Sequence, residues 1–182
     1  MDREAALTLL QTHVKTRNLV KHCLACEAVL GALARRLGED EANWRLAGLL
    51  HDVDYDQTAD SPEDHARVGA RMLEEAGVDS HIVHAVLAHN DKVPRESALD
   101  KALWCVDPLT GLIVAAALIR PERKLSAIDT QFVLNRMKEK SFARGANREQ
   151  IRACEEELRL SLEEFVGIGL KAMQEISDEL GL

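Results

Sequence analysis

The sequence predicts an all-α fold, and three observations carry that reading. Apolar residues recur at spacings of three and four along most of the chain, and no window alternates convincingly with period two. Ten Gly and four Pro among 182 residues are too few for a turn-rich all-β chain. The length favours one domain with a sizeable core, so residues 1–182 read as a single helical domain.

The elements follow in order. A first helix is expected over Arg3–Val14. A second runs over Asn18–Leu37, where Leu19, Cys23, Cys26, Leu30, Leu33 and Leu37 form one stripe and Gly38 stops it. A third covers Glu41–Val53. A fourth opens at Ser61-Pro62-Glu63-Asp64, with an N-cap, Pro at N1 and an acid at N3, and ends at Gly77. A fifth spans Ser80–His89. A sixth spans Ser97–Ile119, broken or bent near Pro108. Another covers Ala127–Lys140. The last stripe, from Arg148 towards Leu180, is expected to be interrupted at Gly167 and Gly169.

Composition limits the functions available. The net charge of −8 repels polyphosphate backbones, and six aromatics give no base-stacking track, so long nucleic acid is not expected as a partner. The N-terminus Met-Asp-Arg-Glu lacks a basic and an apolar leader region. The longest apolar stretch, Leu109–Ile119, is too short for a bilayer. A cytoplasmic protein with no membrane partner is therefore expected. Cys23 and Cys26 form a C-x-x-C, which reads as a redox pair, half a zinc site or two small core residues.

The chemistry is sought where polar residues interrupt apolar faces, because a buried polar group must be hydrogen-bonded, paired or bound to metal. His22 lies within the stripe of the second helix. His51-Asp52 closes an apolar run. His65 heads the stripe Val68, Gly69, Met72, Leu73, and His89 ends the stripe Ile82, Ala85, Val86. Asp107 follows Leu103 by four and precedes Pro108, so it suits either a metal ligand or a helix N-cap. Taken alone, His22 suits a satisfied core imidazole better than a ligand, His65 and His89 suit either equally, and the acid beside His51 tilts that pair towards metal. Together, residues from five helices are satisfied at once if they meet around an ion. His81 and His84 fall off their stripe and read as surface residues. Asp54 and Asp56 read as a solvated acidic loop or as contacts to a site. Arg17, Lys21, Lys92, Arg144 and Arg148 read as surface charges or as phosphate contacts.

The ordered set His22, His51-Asp52, His65, His89 and Asp107 resembles the HD superfamily of metal-dependent phosphohydrolases. The surrounding text, LVKHCLACEAV, LAGLLHDVDYD, DHARVGARMLEEAG, AVLAHND and ALWCVDPLTGLIVAA, is similar as well. The last third, with RPERKL, FARGANREQI and LEEFVGIGLKAMQEI, resembles a bacterial subgroup of predicted HD-superfamily hydrolases. The resemblance implies a helical bundle with additional C-terminal helices and a centre of one or two divalent ions, with Mn, Fe, Zn, Mg, Co and Ni not distinguished. It implies a first metal at His22, His51, Asp52 and Asp107. A second would use His65 and His89, with Asp52 bridging and carrying catalysis. Elaborate dinuclear members have two adjacent histidines near position 89, where this chain has His89-Asn90. The implied activity is hydrolysis of a nucleotide or another small phosphoester. Two alternatives are a diiron oxygenase of the same superfamily and a non-catalytic sensory or interaction module with a bound metal.

Overall fold

Side-chain oxygens at the expected kinds of residue start most of the longer helices. In the computed structural model, which describes residues 1–182, Asp2 caps α1 (Arg3–His13), and Asp40 caps α3 (Glu41–Leu50). Ser97 forms a reciprocal capping box with Asp100 at the head of α7 (Ala98–Leu118). Asp129, Asn147 and Ser161 cap α8 (Thr130–Met137), α9 (Arg148–Arg152) and α11 (Leu162–Glu175). Each such cap contributes about 1 kcal/mol. The remaining helices are α2 (Arg17–Leu37), α4 (Tyr55–Thr58), α5 (Arg67–Glu75), α6 (Ser80–His89), α10 (Cys154–Glu157) and α12 (Ser177–Leu180). A short 3-10 turn covers Leu125–Ala127. The chain is 68% helical and has no strand, so the all-α expectation holds.

The two longest helices, α2 and α7, are packed against each other and organise the rest. α3 and α11 lie on α2, while α6, α8 and α9 lie on α7. The α2–α3 crossing is close because Gly48 has no side chain. A Cβ there would lie 2.7 Å from the backbone of Cys26 and Glu27. Beside this crossing, buried Glu27 accepts hydrogen bonds from Arg3 and Arg45 and so ties α1 and α3 to α2.

Four expectations are corrected. The fourth helix does not begin at Ser61. Residues Ser61–Ala66 form turns, and Ala66, fully buried at φ +67°, enters α5 from a conformation that a helix cannot continue. The third helix ends at Leu50, and a separate short α4 follows the turns at 51–54. Pro108 does not break α7. Its missing N–H and ring cost ~3 kcal/mol. Leu103, Leu109, Leu112 and Ile113 are fully buried on the same helix, which is worth roughly 6–12 kcal/mol in all. Burial therefore wins, and Asp107 lies within a helix rather than capping one. Finally, Gly167 and Gly169 lie inside α11. The last stripe breaks instead around 158–161. Gly169 is needed there for contact, since a Cβ would come within 2.9 Å of Leu109.

α7 has 21 residues and a mean hydropathy of 1.5 in its most apolar window, long and apolar enough by that measure to cross a membrane. Here 61% of that window is buried against neighbouring helices. The apolar run read as Leu109–Ile119 is thus the second half of a longer core helix.

Candidate metal centre

Five segments deliver six side chains to one place. His22 comes from α2, His51 and Asp52 from the end of α3, His65 from the turns before α5, His89 from the last position of α6 and Asp107 from the middle of α7. His51, Asp52, His65 and His89 are buried, whereas His22 and Asp107 are half-buried and face a cleft.

The donor atoms fall into two groups that share Asp52. His22 Nε2 lies 3.2 Å from His51 Nε2, 3.1 Å from Asp107 Oδ1 and 3.7 Å from Asp52 Oδ2. His51 Nε2 lies 3.6 Å from Asp52 Oδ2 and 3.9 Å from Asp107 Oδ1. Ligands held ~2.1 Å from one ion are separated by ~3.0 Å at right angles and ~3.4 Å in a tetrahedron. These separations therefore suit a single cation among the four groups. The other oxygen of Asp52, Oδ1, lies 3.4 Å from His65 Nε2 and 3.6 Å from His89 Nε2. One carboxylate thus turns each of its oxygens to a different pair of imidazoles.

The far nitrogens explain why every Nε2 faces inward. His51 Nδ1 donates to the Gly48 carbonyl at 2.9 Å, and His89 Nδ1 donates to the Val86 carbonyl. His65 Nδ1 donates to Asp54 Oδ1 at 2.9 Å. The Thr110 hydroxyl donates to the Asp107 carbonyl, leaving its oxygen to accept from His22 Nδ1 at 3.0 Å. A proton on Nδ1 leaves Nε2 as a bare lone pair. Such partners fix tautomer and ring orientation in metal-binding histidines.

Four inward lone pairs beside two carboxylates form a donor set made for a cation. The protonation equilibria reflect the same crowding of groups. Burial holds His51 down to about 4. Burial also works against charge on Asp52, but His51, His65, His89 and His22 outweigh it and keep this carboxyl well below the usual range. Burial opposes the proton on His65, yet hydrogen bonds to Asp52 and Asp54 push its pKa up to about 9. For His22, burial is likewise outweighed, by Cys26 and by the bond to Asp107, and its pKa rises well above the ordinary value. Two protons thus occupy positions that a cation would take.

Asp54 and Thr110 complete the arrangement. Asp54 is fully buried, against the expectation of a solvated loop, and binds both His65 Nδ1 and the Gly69 amide. Asp56 stays exposed and accepts from the amides of Lys15 and Thr16. Thr110 was not singled out by sequence. Its one signal is a hydroxyl three residues after Asp107 in an apolar run. Cys26 Sγ lies 3.9 Å from His22 Nε2, so His22, Cys26 and His51 form a further possible ligand group. All four cysteines are buried and free, so the C-x-x-C forms no disulfide.

The histidines read as surface residues stay away from the cleft. His81 is exposed beside Asp79, and His84 pairs with Asp100 at 3.1 Å. The basic residues weighed as phosphate contacts do not line the cleft either. Arg148 spends its guanidinium on the carbonyls of Phe142, Ala143 and Ala146, and Lys92 donates to the Pro62 carbonyl.

Residues 19–153 match the HD domain family. The chain belongs to the HD domain family. That match takes in all six residues of the centre and most of the helices around them. The HD domain here is also similar to three proteins called Ribonuclease Y. The one from Oleidesulfovibrio alaskensis is 34% identical over 96 residues, which is 53% of this chain and 18% of that protein. The one from Nitratidesulfovibrio vulgaris strain DP4 is 33% identical over 98 residues, again 53% and 18%. The one from Lawsonia intracellularis is 31% identical over 104 residues, 57% and 20%. The similarity therefore spans about a fifth or less of those relatives. No solved structure matches the chain significantly.

Proposed function

We propose that this HD domain is a metal-dependent phosphohydrolase acting on a nucleotide or another small phosphoester. The observation that supports it most is the split of Asp52, with Oδ2 towards His22 and His51 and Oδ1 towards His65 and His89. In this reading His22, His51, Asp52 and Asp107 hold a first divalent ion, and His65 and His89 share Asp52 with a second. Such ions lower the pKa of bound water towards ~7 and offset phosphate charge.

The chain's own groups do the rest. Asp52 sets both halves of the centre, and its loss disables both. The Nδ1 partners fix each imidazole with its Nε2 aimed inward. Half-exposed His22 and Asp107 leave the centre open to a substrate arriving from the cleft. The second half has fewer donors, since Asn90 stands where elaborate dinuclear members have a second histidine. It therefore binds its ion more loosely.

The test combines elemental analysis of protein purified without chelator with phosphate release from a panel of nucleotides and phosphodiesters. Asp52→Asn is expected to lower metal content and abolish release. His65→Ala and His89→Ala should lose the second ion and most activity while keeping the first, and His84→Ala should change neither. Because the named relatives are ribonucleases, the panel includes RNA. Cleavage of long RNA alone overturns the small-substrate reading. Oxidation of a substrate by O₂ with tightly bound iron favours the oxygenase alternative.

A further inference from the structure

The cleft over the centre, about 400 Å³, has an uneven lining. Its charged and titratable groups are Asp52, Asp107, the three histidines His22, His65 and His89, and Tyr55. No Lys or Arg lines it. Tyr55 also lines it and is one of few large apolar side chains exposed in the whole protein, at 39%. Its ring makes a T-shaped contact with His65, with centroids 5.2 Å apart at 79°, and the residue stays part-exposed where it lines the cleft.

The backbone beneath Tyr55 is fastened on both sides. Asp54, just before it, is buried and binds His65 and the Gly69 amide. Asp56, just after it, binds the amides of Lys15 and Thr16 at 2.6 and 3.0 Å. A four-residue helix would otherwise be a marginal support. Two carboxylate anchors across long sequence separations hold the only tyrosine of the chain at the mouth of the centre. Nothing in the metal-binding arrangement requires an aromatic ring at that position.

We infer that the cleft selects a phosphoester with a single phosphoryl group whose attached moiety is a planar ring stacked on Tyr55. The inference rests on the phosphohydrolase reading and narrows its substrate. A single phosphoryl group can be neutralised at the centre itself. A triphosphate carries further charge that needs basic side chains; none lines the cleft, and Lys92 beside it is engaged by the Pro62 carbonyl and by Glu63. A planar ring gains dispersion and stacking on an exposed phenol ring already fixed in place. Hydrolysis adds water across the ester. The water oxygen bonds to phosphorus, the P–O bond to the ring-bearing moiety breaks, and a water proton ends on the departing oxygen.

The experiment compares AMP, ADP, ATP, glycerol 1-phosphate and a short RNA strand on metal-loaded wild type, Tyr55→Phe and Tyr55→Ala. Wild type is expected to prefer AMP over ATP in kcat/KM by at least about tenfold. Tyr55→Ala should raise KM for AMP about five- to fiftyfold with little change in kcat, the size expected for one lost ring stack. It should leave the ringless glycerol 1-phosphate unchanged, and Tyr55→Phe should behave as wild type. ATP or RNA turned over as well as AMP overturns the inference while leaving the phosphohydrolase reading intact. So does a Tyr55→Ala defect that is equal for AMP and glycerol 1-phosphate. No turnover of any phosphoester by wild type removes the phosphohydrolase reading itself, and this inference with it.

Discussion

Asp54 decides how firmly His65 faces the centre. Its carboxylate accepts from His65 Nδ1 and from the Gly69 amide, so it orients the ring and ties it to α5. Asp54→Asn retains the shape but replaces a charge-assisted acceptor with a neutral amide. Such changes around a metal ligand commonly weaken the ion by about 10–100-fold. The expected outcome is a loss of that size in affinity for the second ion, with the first ion held as in wild type, as read by metal titration. Equal weakening of both ions would mean that Asp54 acts through the general fold. The importance of Asp54 was only half legible in the sequence. Position 54 lies two residues after an H-D pair, but an acid among Asp52, Asp54 and Asp56 reads as solvated. Only the path of the chain through residues 61–66, which brings His65 back over position 54, reveals that it is buried.

At the scale of elements, the α2–α3 crossing sets the distance between His22 and His51. Gly48 permits that crossing, and its carbonyl also holds His51 Nδ1. Gly48→Ala puts a methyl 2.7 Å from fixed backbone, so the helices must separate. Overpacking of this kind costs roughly 1–3 kcal/mol. A fall of that size in unfolding free energy is expected by denaturant titration, together with weaker binding of the first ion. Unchanged stability and metal affinity would mean that the crossing tolerates a shift. The helices that the sequence located well are those with a clear apolar stripe, such as α2, stopped at Gly38, and α6, ending at His89. The missed boundaries share a cause. The Ser61-Pro62 start and the Pro108 break are sound local signals, and non-local structure overrides both: the turn that buries His65 and Ala66 at the first, and burial along α7 at the second. The inward histidines were legible because helix periodicity exposes them. Thr110 and the backbone carbonyls that hold their Nδ1 atoms were not, since contacts between helices leave no local pattern.

Over the whole molecule, the centre links metal, pH and stability. In metal-free protein His65 has a pKa raised from 6.5 to about 9. A raised pKa means that its proton stabilises the fold fully below about pH 6.5 and that this contribution fades as pH rises through about 9. His51 has the opposite sign. Its pKa is lowered to about 4, so folding resists its protonation and stability falls as pH drops from 6.5 towards 4. Through these two groups, metal-free protein is expected to be most stable near pH 6.5. A cation at the centre competes with the His65 proton, so its apparent affinity rises across the interval in which that proton leaves. Since a ligand stabilises in proportion to RT ln(1 + [L]/Kd), the gap in Tm between metal-loaded and metal-free protein should widen from about pH 6.5 to 9. Thermal melts with and without chelator, at several pH values and one free-metal concentration, measure that gap. His65→Gln, which has no proton to surrender, should reduce its dependence on pH, leaving the part that comes from the His22 proton. A gap that narrows with rising pH, or one that His65→Gln leaves unchanged, would place the competing proton somewhere other than His65.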